Sequence, residues 1–400
     1  MQYRLDKKSG NKLSVLGLGC MRFPRALGTI DMRKTEAIVM EAIDAGVNYF
    51  DTAYIYPGSE EALGLILEKR FVRDEVYLAT KMPIVLVKGP DDFDRFFNRE
   101  LERLRTDHVD YYLMHMITDS AQWNTLKGWG IAAWIAAQKQ SGRIRQLGFS
   151  FHGAKDEFLA VLNDYDWDFC QIQYNYSDPH FQAGVTGLKA AAERMPVVIM
   201  EPLLGGKLAT GLPAQAVKLF EKANDTYSPA AWGLRWLWDQ PEVSVVLSGM
   251  NDPRQLRENI AVADASPPSL LTDADRETYG EVLRVFNASY KIHCTGCGYC
   301  MPCKRGVNIP ASFAAYNTSF SMGYKSGMQQ YTTSTAVFSD RPASPRLCVR
   351  CGACEQHCPQ HLPIMEHLRE VRARMEPLWF RFVINVARKF LGKNNRASNP

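Results

Sequence analysis

The chain has no uninterrupted apolar run of the ~20 residues that a membrane-spanning helix needs, so no transmembrane segment is expected. Its first residues, Met1–Ser9, are charged and contain no apolar core, unlike a secretory signal. A formal net charge of +4 over 400 residues is too small for a nucleic-acid footprint. No G-x-G-x-x-G follows the first predicted strand, which argues against an open dinucleotide-binding sheet, and no flavin signature is visible. Cysteine is scarce before residue 294: Cys20 and Cys170 stand alone in apolar, strand-like surroundings, as small buried hydrophobes do. With 46% apolar and 22% charged residues, the rest is the composition of a globular protein, expected in the cytoplasm.

The remaining eight cysteines fall into two runs, Cys294-x2-Cys297-x2-Cys300-x2-Cys303 and Cys348-x2-Cys351-x2-Cys354-x3-Cys358-Pro359. Such spacing sets successive thiolates around one small centre, and eight ligands suffice for two [4Fe–4S] clusters. Structural zinc more often uses separated pairs of cysteines, commonly with histidine. Disulfides imply an oxidising compartment, for which the N-terminus gives no sign. The second run resembles the bacterial ferredoxin pattern, in which the fourth cysteine ligates the other cluster. That resemblance implies one cluster on Cys294, Cys297, Cys300 and Cys358, and another on Cys348, Cys351, Cys354 and Cys303. The first run departs from the pattern by ending in x2, with Pro302 before its last cysteine, so the pairing stays open.

In front of the cysteines, predicted strands alternate with helices. Strands are expected at Leu13–Gly19, Val47–Asp51, Val76–Lys81, Val109–His115, Ile144–Ser150, Phe169–Tyr174, Val197–Glu201 and Val243–Ser248. Helices at Asp31–Ala45, Ser59–Lys69 (Ser59 as its N-cap) and Asp91–Leu104 separate the first of them. Alternation of this kind implies a parallel sheet. The length fits a closed α/β barrel, for which ~250 residues is typical. A hairpin of Tyr3–Leu5 and Lys12–Val15 would cover the barrel floor. The expected domains are a (β/α)8 TIM barrel over 1–285, a small, mainly helical ferredoxin-type [4Fe–4S] domain over 286–375, and a basic amphipathic helix with a polar tail over 376–400. Between the cysteine runs, Ile309–Tyr324 has helical character and Gln329–Pro345 reads as loop. Ile292, Ile309 and Ile364 would pack beside the clusters.

In barrels of this kind the chemistry sits where strands end at their C-terminal edge. The strand ends here carry Asp51-Thr52-Ala53-x-x-Tyr56, Ala79-Thr80-Lys81, Asp110-Tyr-Tyr-Leu-Met-His115, Gly148-Phe-Ser150 and Gln171-x-Gln173-Tyr174-Asn175. From about Asn11 to Asn259 this set, in this order, resembles the aldo-keto reductases, and with the cysteine runs the chain resembles their iron–sulfur branch. The resemblance implies a catalytic tetrad of Asp51, Tyr56, Lys81 and His115. The chemistry agrees. Reducing a carbonyl by hydride needs a proton at its oxygen, and a tyrosine can give one if a nearby lysine favours its phenolate. A carboxylate would hold that lysine, and a histidine would orient the carbonyl. Tyr54 is a rival donor without the family spacing, and His152 either faces the site or is an ordinary loop histidine.

The resemblance also implies that Ser150 and Gln171 hold a nicotinamide amide. By the same resemblance Gly249, Gln255, Glu258 and Asn259 lie along the adenosine half, and the family alone favours NADP(H). Met200 stands where many relatives place an aromatic ring, and Gly249 where some place a lysine for the 2′-phosphate; Arg254 or Arg257 is a candidate replacement. Gly205-Gly206-Lys207 is either a plain turn or a backbone approach to pyrophosphate. Hydride moves two electrons and a cluster one, so a flavin is a candidate bridge. Three functions stay open. One is an NADPH-linked carbonyl reductase (or, in reverse, an enzyme oxidising the alcohol) whose clusters connect it to a ferredoxin-like redox protein. Another is an ordinary reductase with structural clusters. The last is a non-catalytic nucleotide-sensing or docking scaffold for a redox module. The basic segment 377–392 either packs on its own protein or touches a membrane surface. Loops around Pro83–Pro90 and Ile117–Gly130, with Trp123 and Trp129, show no charge pair diagnostic of a substrate.

Overall fold

Eight parallel strands close into a barrel: β1 (Leu16–Gly19), β2 (Tyr49–Asp51), β3 (Tyr77–Met82), β4 (Val109–Ile117), β5 (Ile144–Phe151), β6 (Phe169–Gln173), β7 (Val197–Met200) and β8 (Val243–Ser248). This computed structural model describes residues 1–335 and 342–380. Each strand pairs in parallel with its neighbour in sequence, and β8 closes on β1 with Leu247 opposite Gly17 and Ser248 opposite Leu18. The interior is filled by Leu13, Tyr49, Ala79, Tyr111, Leu113, Phe169, Val198, Val245 and Leu247, so it is a packed core and not a pore. Gly17 is required by that packing: a Cβ there would lie 2.8 Å from Leu247 and 2.9 Å from Val245. The expected hairpin is present as Tyr3–Leu5 paired antiparallel with Lys12–Ser14. No helix among the described residues is long and apolar enough to cross a membrane.

Local expectations hold with three changes. Ser59 is the first helical residue, not the cap; Gly58, in the left-handed conformation, precedes it, and the Ser59 hydroxyl instead bonds the Cys20 carbonyl and the Thr52 hydroxyl. Part of the expected loop after residue 329 is helical, because a helix runs over Tyr324–Ser334. Trp123 does not line a mouth loop: it is fully buried on the helix Ser120–Gly128, with its ring 4.7 Å from that of Trp167.

Contacts divide the chain into two compact units. One holds Met1–Leu203 and Tyr227–Asp273; the other holds Leu204–Thr226 and everything from Ala274 onward. The second unit therefore takes in a segment, with helices Lys207–Thr210 and Ala214–Ala223, that follows β7 in the chain. Its core is built from Ile292, Val307, Ile309, Phe313, Tyr331, Ile364, Leu368 and Val371, and Cys294, Cys300, Cys303, Cys348, Cys354 and Cys358 pack against it. The segment 381–400, which holds most of the expected basic helix and tail, lies outside the described residues.

Candidate active site and cysteine cradles

Three adjacent strands deliver the expected tetrad to one edge of the barrel. Asp51 closes β2, Lys81 lies near the end of β3, and His115 lies within β4. Lys81 is fully buried, and its ammonium donates to Asp51 Oδ1 at 2.7 Å and to the Thr52 carbonyl at 2.6 Å. A buried charge persists only when it is paired and hydrogen-bonded, and this one is both. Burial raises the Asp51 carboxyl above its ordinary range, with the Lys81 charge opposing. Tyr56 sits on the loop beyond β2 with its ring centroid 5.2 Å from Lys81 Nζ. The His115 ring lies 5.9 Å from that of Tyr56, edge-on at 84°. Burial, then the Lys81 charge and then His152, push the His115 pKa well down, so the imidazole is neutral at pH 7.

The rivals are resolved by packing. Tyr54 lies under the Arg103 guanidinium at 4.3 Å and edge-on to Phe96, away from the tetrad. His152 is buried close enough to His115 to act on it electrostatically, with its Nδ1 3.5 Å from Gln182 Nε2. Glu60 carries more than its place in a helix's first turn suggested. It is buried, accepting from the Thr80 hydroxyl at 2.6 Å and from Arg103 at 3.1 Å, and burial lifts its carboxyl to about 7.

Ser150 and Gln171 stand opposite one another across β5 and β6. The Ser150 oxygen accepts from the Met116 amide at 2.8 Å, which leaves its own O–H to donate elsewhere. Gln171 directs its amide nitrogen to Met200 Sδ at 3.6 Å, and its Oε1 is buried with no partner. One donor and one unpaired acceptor are the complement of a carboxamide, so the pair fits a nicotinamide. Beyond β8, Asn259 is buried and donates to Ser248 at 3.1 Å, while Gln255 and Glu258 are exposed on the helix Pro253–Asp264. Gly249 lies beneath the Arg22 side chain, and a Cβ on it would stand 3.1 Å from Arg22 Cδ. Reading the sequence missed Arg22; its only signal was a cation directly after the first barrel strand.

In the second unit, Cys294, Cys297, Cys300 and Cys358 line one cavity, walled by Ile309, Phe313, Leu362 and Ile364. Cys354 lies near Cys348 and Cys303. These seven cysteines group as a crossed pairing would have them; Cys351 is exposed. Burial pushes Cys294 to about 11 and Cys300 to about 12. Among the described residues no three such side chains converge tightly enough for a single metal ion. Four cysteines lining one cavity match the ligand count of a [4Fe–4S] cluster. Gly205-Gly206-Lys207 belongs to this unit. Gly205, at φ +64°, presses on the cysteine loop so closely that a Cβ would meet the Thr295 carbonyl oxygen at 2.0 Å. Lys207 lines a second cavity of about 230 Å³ with Cys294 and Gly296.

Comparison with known proteins finds two family matches, the first of which includes the Leu204–Thr226 segment that groups with the second unit. The Aldo/keto reductase family matches residues 15–269, and a 4Fe-4S dicluster domain matches residues 293–362. An uncharacterized oxidoreductase of Bacillus subtilis (strain 168) is 29% identical over 320 residues, covering 66% of this chain and 92% of that protein. The L-glyceraldehyde 3-phosphate reductase of Escherichia coli O157:H7 is 25% identical over 307 residues, covering 65% and 87%. Among solved structures, an aldo-keto reductase from Bacillus halodurans in its holo form superposes with a TM-score of 0.57 at 23% identity, covering 70% of this chain and 96% of that one.

Proposed function

Because the chain belongs to the aldo/keto reductase family and carries a 4Fe-4S dicluster domain, we propose that it is an oxidoreductase interconverting a small carbonyl and its alcohol with NADP(H). Two [4Fe–4S] clusters would link it to one-electron chemistry. When bound, the nicotinamide supplies hydride and the clusters exchange single electrons. Everything else is the work of this chain's own side chains. The Ser150 hydroxyl and Gln171 Oε1 would hold the carboxamide and so fix which ring face meets the substrate. Tyr56 would give its phenolic proton to the carbonyl oxygen as negative charge develops there. The Lys81 ammonium stabilises the phenolate left behind, and Asp51 keeps that ammonium charged and in place. A neutral His115 can hydrogen-bond the same oxygen without adding a second positive charge beside Lys81.

The observation that carries this reading is the buried Lys81–Asp51 pair under the Tyr56 ring. A structural lysine gains little from full burial, because desolvating it costs more than its pairing returns unless the charge is used. Tyr56→Phe is the test: the reading expects carbonyl-dependent NADPH oxidation to fall about 10²–10⁴-fold with nucleotide affinity unchanged. Activity within about twofold of the parent, against that general-acid expectation, would remove Tyr56 from the chemistry.

We also propose that the clusters pass electrons outward and do not merely staple the domain. Cys351 is exposed, whereas a stapling cluster gains nothing from a ligand at the surface. Lys304, Arg305 and Arg350, each within two residues of a ligand of that second cluster, are exposed as well. The acidic neighbour in these loops, Glu355, is half-buried and spends an oxygen on the Met365 amide at 2.8 Å. The rim is therefore basic and suits an acidic one-electron carrier such as a ferredoxin-like protein. A flavin is the group that would connect hydride and single-electron steps.

A further inference from the structure

We propose that Arg22 is the residue that binds a phosphate of the dinucleotide, in place of any cation on the segment after β8. The inference rests on the nicotinamide-dinucleotide reading above and adds a specificity residue to it.

In α/β barrels, phosphates commonly bind at the loops that follow the last two strands, on the face where the strands end. Here that loop is Gly249–Asp252, leading into the helix Pro253–Asp264. Two arginines on that helix are candidates, and both are committed elsewhere. Arg254 forks onto Asp252, with Nε and Nη2 each 3.1 Å from a carboxylate oxygen. Arg257 is ion-paired with Glu41. Arg22 has neither an ion pair nor a hydrogen bond among the described residues, and it is exposed.

Barrel closure brings it there. β1 and β8 run side by side with Ser248 opposite Leu18, so the turn Cys20–Arg22 leaves the barrel next to Gly249. The Arg22 stem then lies along the Gly249 backbone, with Cβ, Cγ and Cδ between 3.1 and 3.4 Å from the place a Cβ would occupy. Gly249 has no positive φ, so glycine serves here to leave room and not to permit a special turn. A side chain at 249 would crowd the present course of Arg22, which would have to shift by a few tenths of an ångström. The guanidinium is thus a free, planar, five-donor cation held at the barrel's phosphate end, which is the geometry that suits a phosphate.

The test is equilibrium binding of NADPH and NADH to the full chain with its clusters loaded, read by nucleotide fluorescence, for the parent, Arg22→Ala and Arg22→Lys. Loss of a forked charge-assisted contact should weaken NADPH binding by about tenfold or more in Arg22→Ala, with partial recovery in Arg22→Lys. If NADH binding is unchanged, the phosphate is the 2′-phosphate; if both nucleotides weaken together, it is the pyrophosphate. Gly249→Lys placed on Arg22→Ala should restore affinity by putting a cation back at the same point. If the parent binds NADPH and Arg22→Ala binds both nucleotides as the parent does, the assignment of Arg22 is wrong. If the parent binds neither nucleotide, the dinucleotide reading itself fails.

Discussion

At the scale of single residues, the site is defined by what burial does to charge. Lys81 and Asp51 form a buried ion pair, while the buried Glu60 is only partly compensated by Thr80 and Arg103. Glu60 has a folded-state pKa of about 7 against an ordinary 4.5, with burial as the largest cause. Between those values the folded chain keeps a proton that the unfolded chain has released. Its contribution to stability is therefore lost as pH rises through that window, by roughly 3 kcal/mol in total. Comparing urea unfolding at pH 5 and pH 8 for the parent and Glu60→Gln isolates this group from His115, which titrates in both. The parent should lose stability relative to the variant on going to pH 8. Parallel pH profiles would show that Glu60 is already ionised in the fold. None of this was visible in the sequence, where Glu60 reads as an ordinary acid at a helix start. Tyr56, Lys81, Asp51 and His115 were legible because they recur at successive strand ends.

At the scale of elements, the strands and the early helices were readable from period and alternation, since one buried face per element writes itself into the pattern. What the pattern did not hold is partner choice. The helix Tyr324–Ser334 has few apolar residues, and it packs because Gly327 lets it approach Ser319 to a distance at which a Cβ would stand 2.5 Å from that side chain. Helices Lys207–Thr210 and Ala214–Ala223 look like barrel helices, yet their contacts lie in the second unit. Arg22 escaped notice for the same reason: its neighbour Gly249 is distant in sequence, and only the β1–β8 pairing joins them. The cysteine loops, by contrast, are short and local, so their spacing carried their geometry. Their basic rim yields a prediction. Reversing Lys304, Arg305 and Arg350 to glutamate should slow reduction of the clusters by an acidic ferredoxin about tenfold or more at low ionic strength, and flatten its salt dependence. Reduction by dithionite, read by EPR, should be unchanged. An unaltered ferredoxin rate would move the electron port elsewhere.

At the scale of the whole molecule, two kinds of chemistry share one chain. The chain leaves the barrel unit after Leu203, returns at Tyr227 and leaves again after Asp273, so the cluster unit is built partly from a segment that follows the end of β7. Met200, at that strand end, accepts the Gln171 amide at 3.6 Å, and only a few residues further along Gly205 presses on the Thr295 carbonyl of the cysteine loop. We propose that nucleotide and clusters form one redox path. Anaerobic EPR of the purified chain, with iron, sulfide and flavin assayed alongside, tests it by adding NADPH first and dithionite second. The account predicts a reduced-cluster signal after NADPH alone; a signal that arises only after dithionite would contradict it and leave a reductase whose clusters are separate from its hydride chemistry.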